Sequence, residues 1–281
     1  MNFSVFPLVI VYGLLSAAIW GSGDFIGGFA TKKNLVFTVT FVSQLFGTLV
    51  FVLLAFSTHE TTPSGYYILM GCFAGVFGGV GVSLFYKALA EQKMGIVAPV
   101  SAVLMAVIPV CIGAVLEGLP TVIQILGIIC VLIGIFAVSR EEEIVVGLKE
   151  LKLPVLSGVN FGLFITFVKL ATEEQLYAPL IFARFVSMSV ILIGGTYFGK
   201  RSFLKINSLA LIIISGICDA GGNIFFALAS RTGRLDIASV LSSLYPATTV
   251  ILAAVILKER MNRIQIFGVI VSLIGIILLT L

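Results

Sequence analysis

Three ionisable side chains stand inside long apolar runs: Asp24, Arg184 and Asp219. At the centre of a bilayer a charge costs about 2.5–3.5 kcal/mol on the insertion scale, so one kept there faces a cavity or a partner. Arg184 carries a fixed charge on a planar fork of donors, which suits the carboxylate or phosphate of a substrate, or a gating contact. Read structurally, it is a snorkelling arginine or one half of an ion pair. Asp219 falls in Gly216-Ile217-Cys218-Asp219-Ala220-Gly221-Gly222-Asn223, with Asn223 one turn on along the same face. Its small neighbours let a backbone or a ligand approach. A carboxylate so placed binds a proton or a substrate amine, or serves as counter-ion to Arg184. Asp24 follows Trp20 by one helical turn and shares its face. It is either a cavity carboxylate or a helix-end group beside a tryptophan of the aromatic belt.

Tyr245 precedes Pro246, and Ser242 lies one turn before that proline. A proline removes one helical hydrogen bond and leaves a carbonyl that can be offered to a cavity. Pro246, Pro99 and Pro109 are therefore the expected helix-break or gating positions. Gln44 and Asn160 read as inter-helix hydrogen-bonding groups, and Lys87 and Lys169 as snorkelling anchors. Gly71, Gly75 and Gly79 form two successive Gly-x-x-x-Gly spacings, a close-packing surface inside the bundle or between two copies of the chain. Cys72, Cys111, Cys130 and Cys218 lie in apolar runs without a Cys-x-x-Cys, and His59 stands alone in a polar stretch. With those residues there is no metal site or triad to build, and no Walker loop or nucleophile elbow is present. Neither a cofactor nor catalysis is expected.

The elements that must hold these residues follow from composition. Of 281 residues 59% are hydrophobic and 11% charged, and the mean hydropathy is +1.20. Soluble domains carry about 25% charged residues. A soluble enzyme, a nucleic-acid-binding domain and a secreted disulfide scaffold are excluded, and the net charge of +4 resides in loops. Apolar runs predict ten membrane spans, at 5–29, 35–56, 65–89, 95–115, 121–139, 153–171, 178–198, 208–229, 236–257 and 263–281. The start, Met1 to Pro7, lacks the basic region of a signal peptide, so the first run is read as a retained helix.

The chain also resembles itself. A shift of 141 superposes Gln124, Gly127 and Leu132-Ile133-Gly134-Ile135 on Gln265, Gly268 and Leu273-Ile274-Gly275-Ile276. The same shift places Leu15, Ser16 and Gly21 on Leu156, Ser157 and Gly162. A shift of 140 pairs Phe85, Ala98, Val100 and Leu104 with Phe225, Ala238, Val240 and Leu244. Residues 1–139 and 153–281 are accordingly two five-helix repeats, joined by a polar loop at 140–152 that holds Glu141, Glu142 and Glu143. Five is odd, so the second repeat enters the bilayer inverted. The expected fold is an all-α integral membrane protein of ten transmembrane helices, an architecture that recurs in secondary transporters with the site near the midplane.

Trp20-Gly21-Ser22-Gly23-Asp24-Phe25, Tyr86-Lys87-Ala88-Leu89, Leu241-Ser242-Ser243-Leu244-Tyr245-Pro246, and Lys258-Glu259-Arg260 followed by Gln265 and Gly268 resemble the EamA-like branch of the drug/metabolite transporter superfamily. Two motifs depart from the usual pattern: Lys258 replaces a glycine, and Glu117-Gly118 reverses an order. The resemblance implies an exporter of small metabolites, often amino acids or related compounds, working by alternating access. Expected partners are a small-molecule substrate, the lipid of a bacterial-type cell membrane, protons as coupling ion and a second copy of the chain in a homodimer, with no nucleic acid. A membrane scaffold or sensor, and a lipid-handling flippase, are the competing readings. Loops on the face away from the termini hold twelve Lys and Arg residues against Arg231 and Arg234 on the terminal face. The positive-inside rule then puts the termini outside, whereas the family resemblance implies cytoplasmic termini.

Overall fold

A segment in lipid has no water for its backbone groups and closes them on itself as a helix. The computed structural model describes residues 6–31, 34–91, 94–138, 151–197, 208–256, 258 and 262–279. Among them every regular element is an α-helix: α1 (Phe6–Thr31), α2 (Val36–Ser57), α3 (Gly65–Glu91), α4 (Met94–Leu116), α5 (Val122–Val138), α6 (Lys152–Ala171), α7 (Ala178–Tyr197), α8 (Leu209–Thr232), α9 (Leu235–Ser242), α10 (Tyr245–Ile256) and α11 (Arg263–Leu279). The ten expected spans are all present, the ninth divided into α9 and α10. Six spans are long and apolar enough to cross a membrane and four more are shorter apolar helices. The polar connection that holds Glu141, Glu142 and Glu143 lies outside the described residues.

Each helix packs mainly on helices of the other half, and the packing maps onto itself when the halves are exchanged. The α1–α8 contact has its counterpart in α6–α3, and α4–α6 has its counterpart in the packing of α9 and α10 on α1. The pairs α2–α7 and α5–α11 are their own counterparts and mark the pseudo-two-fold. Individual atoms repeat as well. Ser16 Oγ donates to the Gly222 carbonyl at 2.9 Å, and its equivalent Ser157 Oγ donates to the Gly81 carbonyl at 3.0 Å.

The strongest repeat signal in the sequence gains a physical cause at α5 and α11. Thr121 N donates to Gln124 Oε1 at 3.1 Å while Gln124 N donates back to Thr121 Oγ1 at 3.2 Å. Asn262 and Gln265 repeat this reciprocal cap at 2.9 and 2.8 Å. Both pairs are capping boxes that fix where the helix begins. The glycines then let the two helices touch backbone to backbone. A Cβ at Gly127 would lie 3.0 Å from the Gly275 carbonyl oxygen, and one at Gly134 would lie 2.8 Å from that of Gly268. The run Gly71, Gly75 and Gly79 is used in the same way against α7, where the carbonyls of Pro179, Ala183 and Ser187 face it. That stripe is internal to the bundle.

The break in the ninth span falls level with Gly21 of α1, whose carbonyl accepts from Thr249 Oγ1 at 3.0 Å. Pro246 has no N–H for the Ser242 carbonyl. The chain passes this point through tighter three-residue bonds, Leu244 N to Leu241 O at 3.2 Å and Ala247 N to Leu244 O at 2.9 Å. Pro246 then occupies the first turn of α10, where a missing N–H is tolerated. As helix breaks, Pro99 and Pro109 need correcting: α4 runs through both without interruption. One lost hydrogen bond kinks an apolar helix, but the surrounding turns remain internally bonded because lipid supplies no alternative partner.

Candidate functional site

Between the halves lies a cavity with an open mouth. Trp20 and Asp24 from α1, Arg184 from α7, Asp219 and Asn223 from α8 and Tyr245 from α10 line it together. Six of the seven residues expected at the site therefore meet. Ser242 does not: its hydroxyl is buried and faces the Gly13 carbonyl of α1 at 3.5 Å, because α9 packs on α1 at that level.

Local sequence explains how α8 presents its polar face. Gly222 receives the indole ring of Trp20, which a Cβ there would overlap, and Trp20 stacks on Phe226 with centroids 6.0 Å apart. Ser215 Oγ donates to the Gly23 carbonyl at 3.0 Å, which draws α1 and α8 together on either side of Asp24 and Asp219.

Arg184 is held by three contacts. Its Nη1 donates to Gln44 Oε1 at 2.7 Å, its Nη2 is ion-paired with Asp219 Oδ2, and its guanidinium stands 5.3 Å over the Phe51 ring. Its side chain is 8% exposed, while that of Asp219 is 42% exposed and keeps a free side toward the cavity. Among the described residues neither a hydrogen bond nor an ion pair reaches the Asp24 carboxylate, and two buried polar atoms also lack partners there, Asn223 Oδ1 and Ser187 Oγ. The orientation of the Asn223 amide is set by its own bond, Nδ2 to the Asp219 carbonyl at 2.7 Å. Among the described residues no cluster of metal-ligating side chains occurs.

The opposite wall is apolar. Phe161 and Phe164 of α6 face it together with Gly78 and Val82 of α3 and Met105 of α4. Sequence reading passed over these residues, yet the repeat carried a signal for them. Phe161 is the equivalent of Trp20 at a shift of 141, and Met105 and Gln44 are the equivalents of Tyr245 and Arg184 at a shift of 140. Of the remaining polar residues, Asn160 donates to Leu156 O in its own helix at 2.8 Å and Lys169 Nζ donates to the Ser230 carbonyl of α8.

The cavity runs from mid-depth toward the face away from the termini, where Thr40, Ser43, Val82, Phe85 and Ser215 lie, and ends inward at the buried Phe51 and Leu180. On the terminal face the loops are joined across the halves. The Glu60 carboxylate accepts from the backbone N–H groups of Leu176, Tyr177 and Ala178 at 2.7–3.2 Å, capping α7. Glu117 caps α9 through Leu235 N at 2.8 Å. Arg234 bridges the Gly118 carbonyl at 2.6 Å and the Asp236 carboxylate at 2.7 Å, and the hydrogen bond to Asp236 holds its guanidinium more firmly protonated than usual. Each is an anion at a helix N-terminus or a cation on loop carbonyls, the favourable placement for its sign.

A protein of Methanocaldococcus jannaschii, described only as uncharacterized, is 30% identical over 129 residues, which is 46% of this chain and 94% of that protein. A protein of known crystal structure matches with a TM-score of 0.81 over 97% of this chain and 98% of its own, at 14% identity, which shows the fold alone. The EamA-like transporter family matches twice, at residues 7–140 and 149–281. With the family covering both repeats, the chain belongs to the EamA-like transporters and is a multi-pass membrane transporter of small solutes.

Proposed function

We propose that the protein is a secondary active transporter of the cell membrane that exports small metabolites such as amino acids or related compounds. The repeats, residues 1–139 and 153–281, exchange roles to give alternating access, with protons as the coupling ion. The observation that carries this reading is the polar cavity at mid-depth on the pseudo-two-fold, holding charged groups where a bilayer penalises them. Loops tied across the halves on one face and a cavity extending toward the other are what one end state of such a cycle requires.

Asp219 is the coupling carboxylate in this proposal. Its free side lies in the cavity, and a proton there removes the ionic partner of Arg184. Protonation thus changes the contact between α7 and α8, which an isolated carboxylate would not do. In proteoliposomes the wild type should exchange labelled metabolites across the bilayer and concentrate them under a pH gradient. Asp219→Asn should still exchange but no longer concentrate. If that variant accumulates normally, the coupling role passes to Asp24; if the wild type exchanges nothing from a broad metabolite panel, the scaffold reading replaces transport. A reporter active only outside the cytoplasm, fused after Leu281, decides orientation: activity supports the loop charges, silence supports the family resemblance.

A further inference from the structure

We propose that the cavity holds its cargo by a protonated amine at Asp24, so the solute is an organic monocation with an apolar body rather than an anion or a zwitterion. The inference rests on the transport reading and narrows its metabolites to amines, setting aside the zwitterionic amino acids. Among the lining residues the charged groups are Asp24, Asp219 and Arg184. Arg184 and Asp219 answer each other, and the second guanidinium nitrogen is taken by Gln44. While that pair is formed, a carboxylate or phosphate entering the cavity finds its cationic partner occupied, and meets Asp24 as a like charge. An ammonium group finds the reverse.

Arg184 Nη2 has its ion pair with Asp219 and no further hydrogen bond; outside that pair the unused hydrogen-bonding capacity favours a donor. Asp24 accepts only, and the orphan atom of Asn223, which is 2% exposed, is its amide oxygen, also an acceptor. Both call for a donor, which an ammonium supplies three times over. Ser187 Oγ, 4% exposed, serves either sense. Around this point stand Trp20, Tyr245, Phe161 and Phe164, whose ring faces attract a desolvated cation and bury an apolar body. A substrate carboxylate placed beside Asp24 instead would leave both desolvated and unpaired, the costlier arrangement.

Trp20 is the one tryptophan of the chain, so its emission reports occupancy of this cavity alone. The purified full-length protein is titrated at constant neutral pH with phenethylamine, phenethyl alcohol, phenylpropionate and phenylalanine, which share one aromatic arm and differ in charge. Phenethylamine should bind at least about tenfold tighter than each of the others, the worth of a charge-assisted hydrogen bond. Asp24→Asn should bring the amine down to the level that the alcohol has in the same variant. The wild-type series needs no variant and stands if Asp24→Asn fails to fold. Equal binding of amine and alcohol, tighter binding of phenylpropionate or phenylalanine, or no response to any probe overturns the inference. Metabolite exchange in proteoliposomes is measured separately, so an exchanging protein without amine preference refutes the amine and spares the transporter.

Discussion

On one side of the cavity stand Trp20, Asp24, Asp219 and Asn223; at the repeat-equivalent positions of the other side stand Phe161, Gly78 and Val82, and the equivalent of Asp24 is Ile165, buried in the core. The backbones beneath the two walls are held by the same devices. Ser16 on Gly222 matches Ser157 on Gly81, and the approach of Gly216 to the Ser43 carbonyl matches that of Gly75 to the Ala183 carbonyl. The residues that make the helices cross have stayed paired, while those that face the cavity have diverged. On the axis itself the pair Gln44 and Arg184 is equivalent in position and unequal in charge, and one donates to the other at 2.7 Å. The comparison separates two kinds of residue: symmetric ones carry the fold, and asymmetric ones give the cavity a polar end and an aromatic end.

The largest effects are expected where symmetric packing is broken. Gly75→Ala and Gly216→Ala each drive a methyl group into a backbone carbonyl of the neighbouring helix, an overpacking that costs about 3 kcal/mol. Both variants should lose most of their monodisperse protein on size exclusion in detergent, and to a similar degree. A severe loss for one and a mild one for the other breaks the equivalence of the walls.

Next in size are the axis residues. Arg184→Ala leaves Asp219 unpaired beside Asp24, and with one partner half-exposed the destabilisation should be about 2 kcal/mol, between the surface and buried limits. Transport should nearly vanish, and Arg184→Lys should retain a weak remainder because it keeps charge without the fork. Gln44→Ala removes one hydrogen bond to a charge that keeps its ion pair and its ring contact, a loss of about 1.5 kcal/mol. Uptake assays that place Gln44→Ala at or below Arg184→Ala would make the amide, not the charge, the essential half of the pair.

A smaller effect is expected at the face where the halves are tied. Glu60→Gln keeps the shape but removes the anion from the first turn of α7, at about 1 kcal/mol. Proteolysis of the terminal-face loops should quicken, while the affinity of the cavity for its probe should hold. Unchanged proteolysis would mean the loops stay closed without the Glu60 charge.

Much of this was legible in the sequence, and the unread part has a consistent cause. Span positions followed from hydropathy because lipid forces each apolar run into a helix, and the repeat followed from residues such as Gln124 and Gln265 that cap helices identically. Asp24, Arg184 and Asp219 stood out because charge is rare in apolar runs. Phe161 and Phe164 did not, since an aromatic residue in a membrane helix is ordinary and only its place opposite Trp20 gives it meaning. Ser242 was misplaced because one turn of helical spacing was carried across a break at Pro246, beyond which α9 and α10 no longer share a face. The pairing of Arg184 with Asp219 was one of two open readings, and choosing between them required knowing that α7 and α8 both reach the axis.

The mildest prediction tests the symmetry most directly. Ser16→Ala and Ser157→Ala each delete one buried hydroxyl that donates to a carbonyl of the opposite half, at 2.9 and 3.0 Å. The accepting carbonyls belong to helices, so the loss is confined to one hydrogen bond, about 1 kcal/mol. In membrane interiors measured values run nearer to about 0.6 kcal/mol, because the unfolded helix also finds partners there. The two variants should therefore lower the thermal midpoint in detergent slightly and equally. The bonds sit on separate crossings, α1 with α8 and α3 with α6, so the double variant should show the sum of the two within about 0.5 kcal/mol. A double variant far worse than that sum would mean the two crossings are coupled through the axis, and the walls would then be halves of one mechanical unit rather than independent copies.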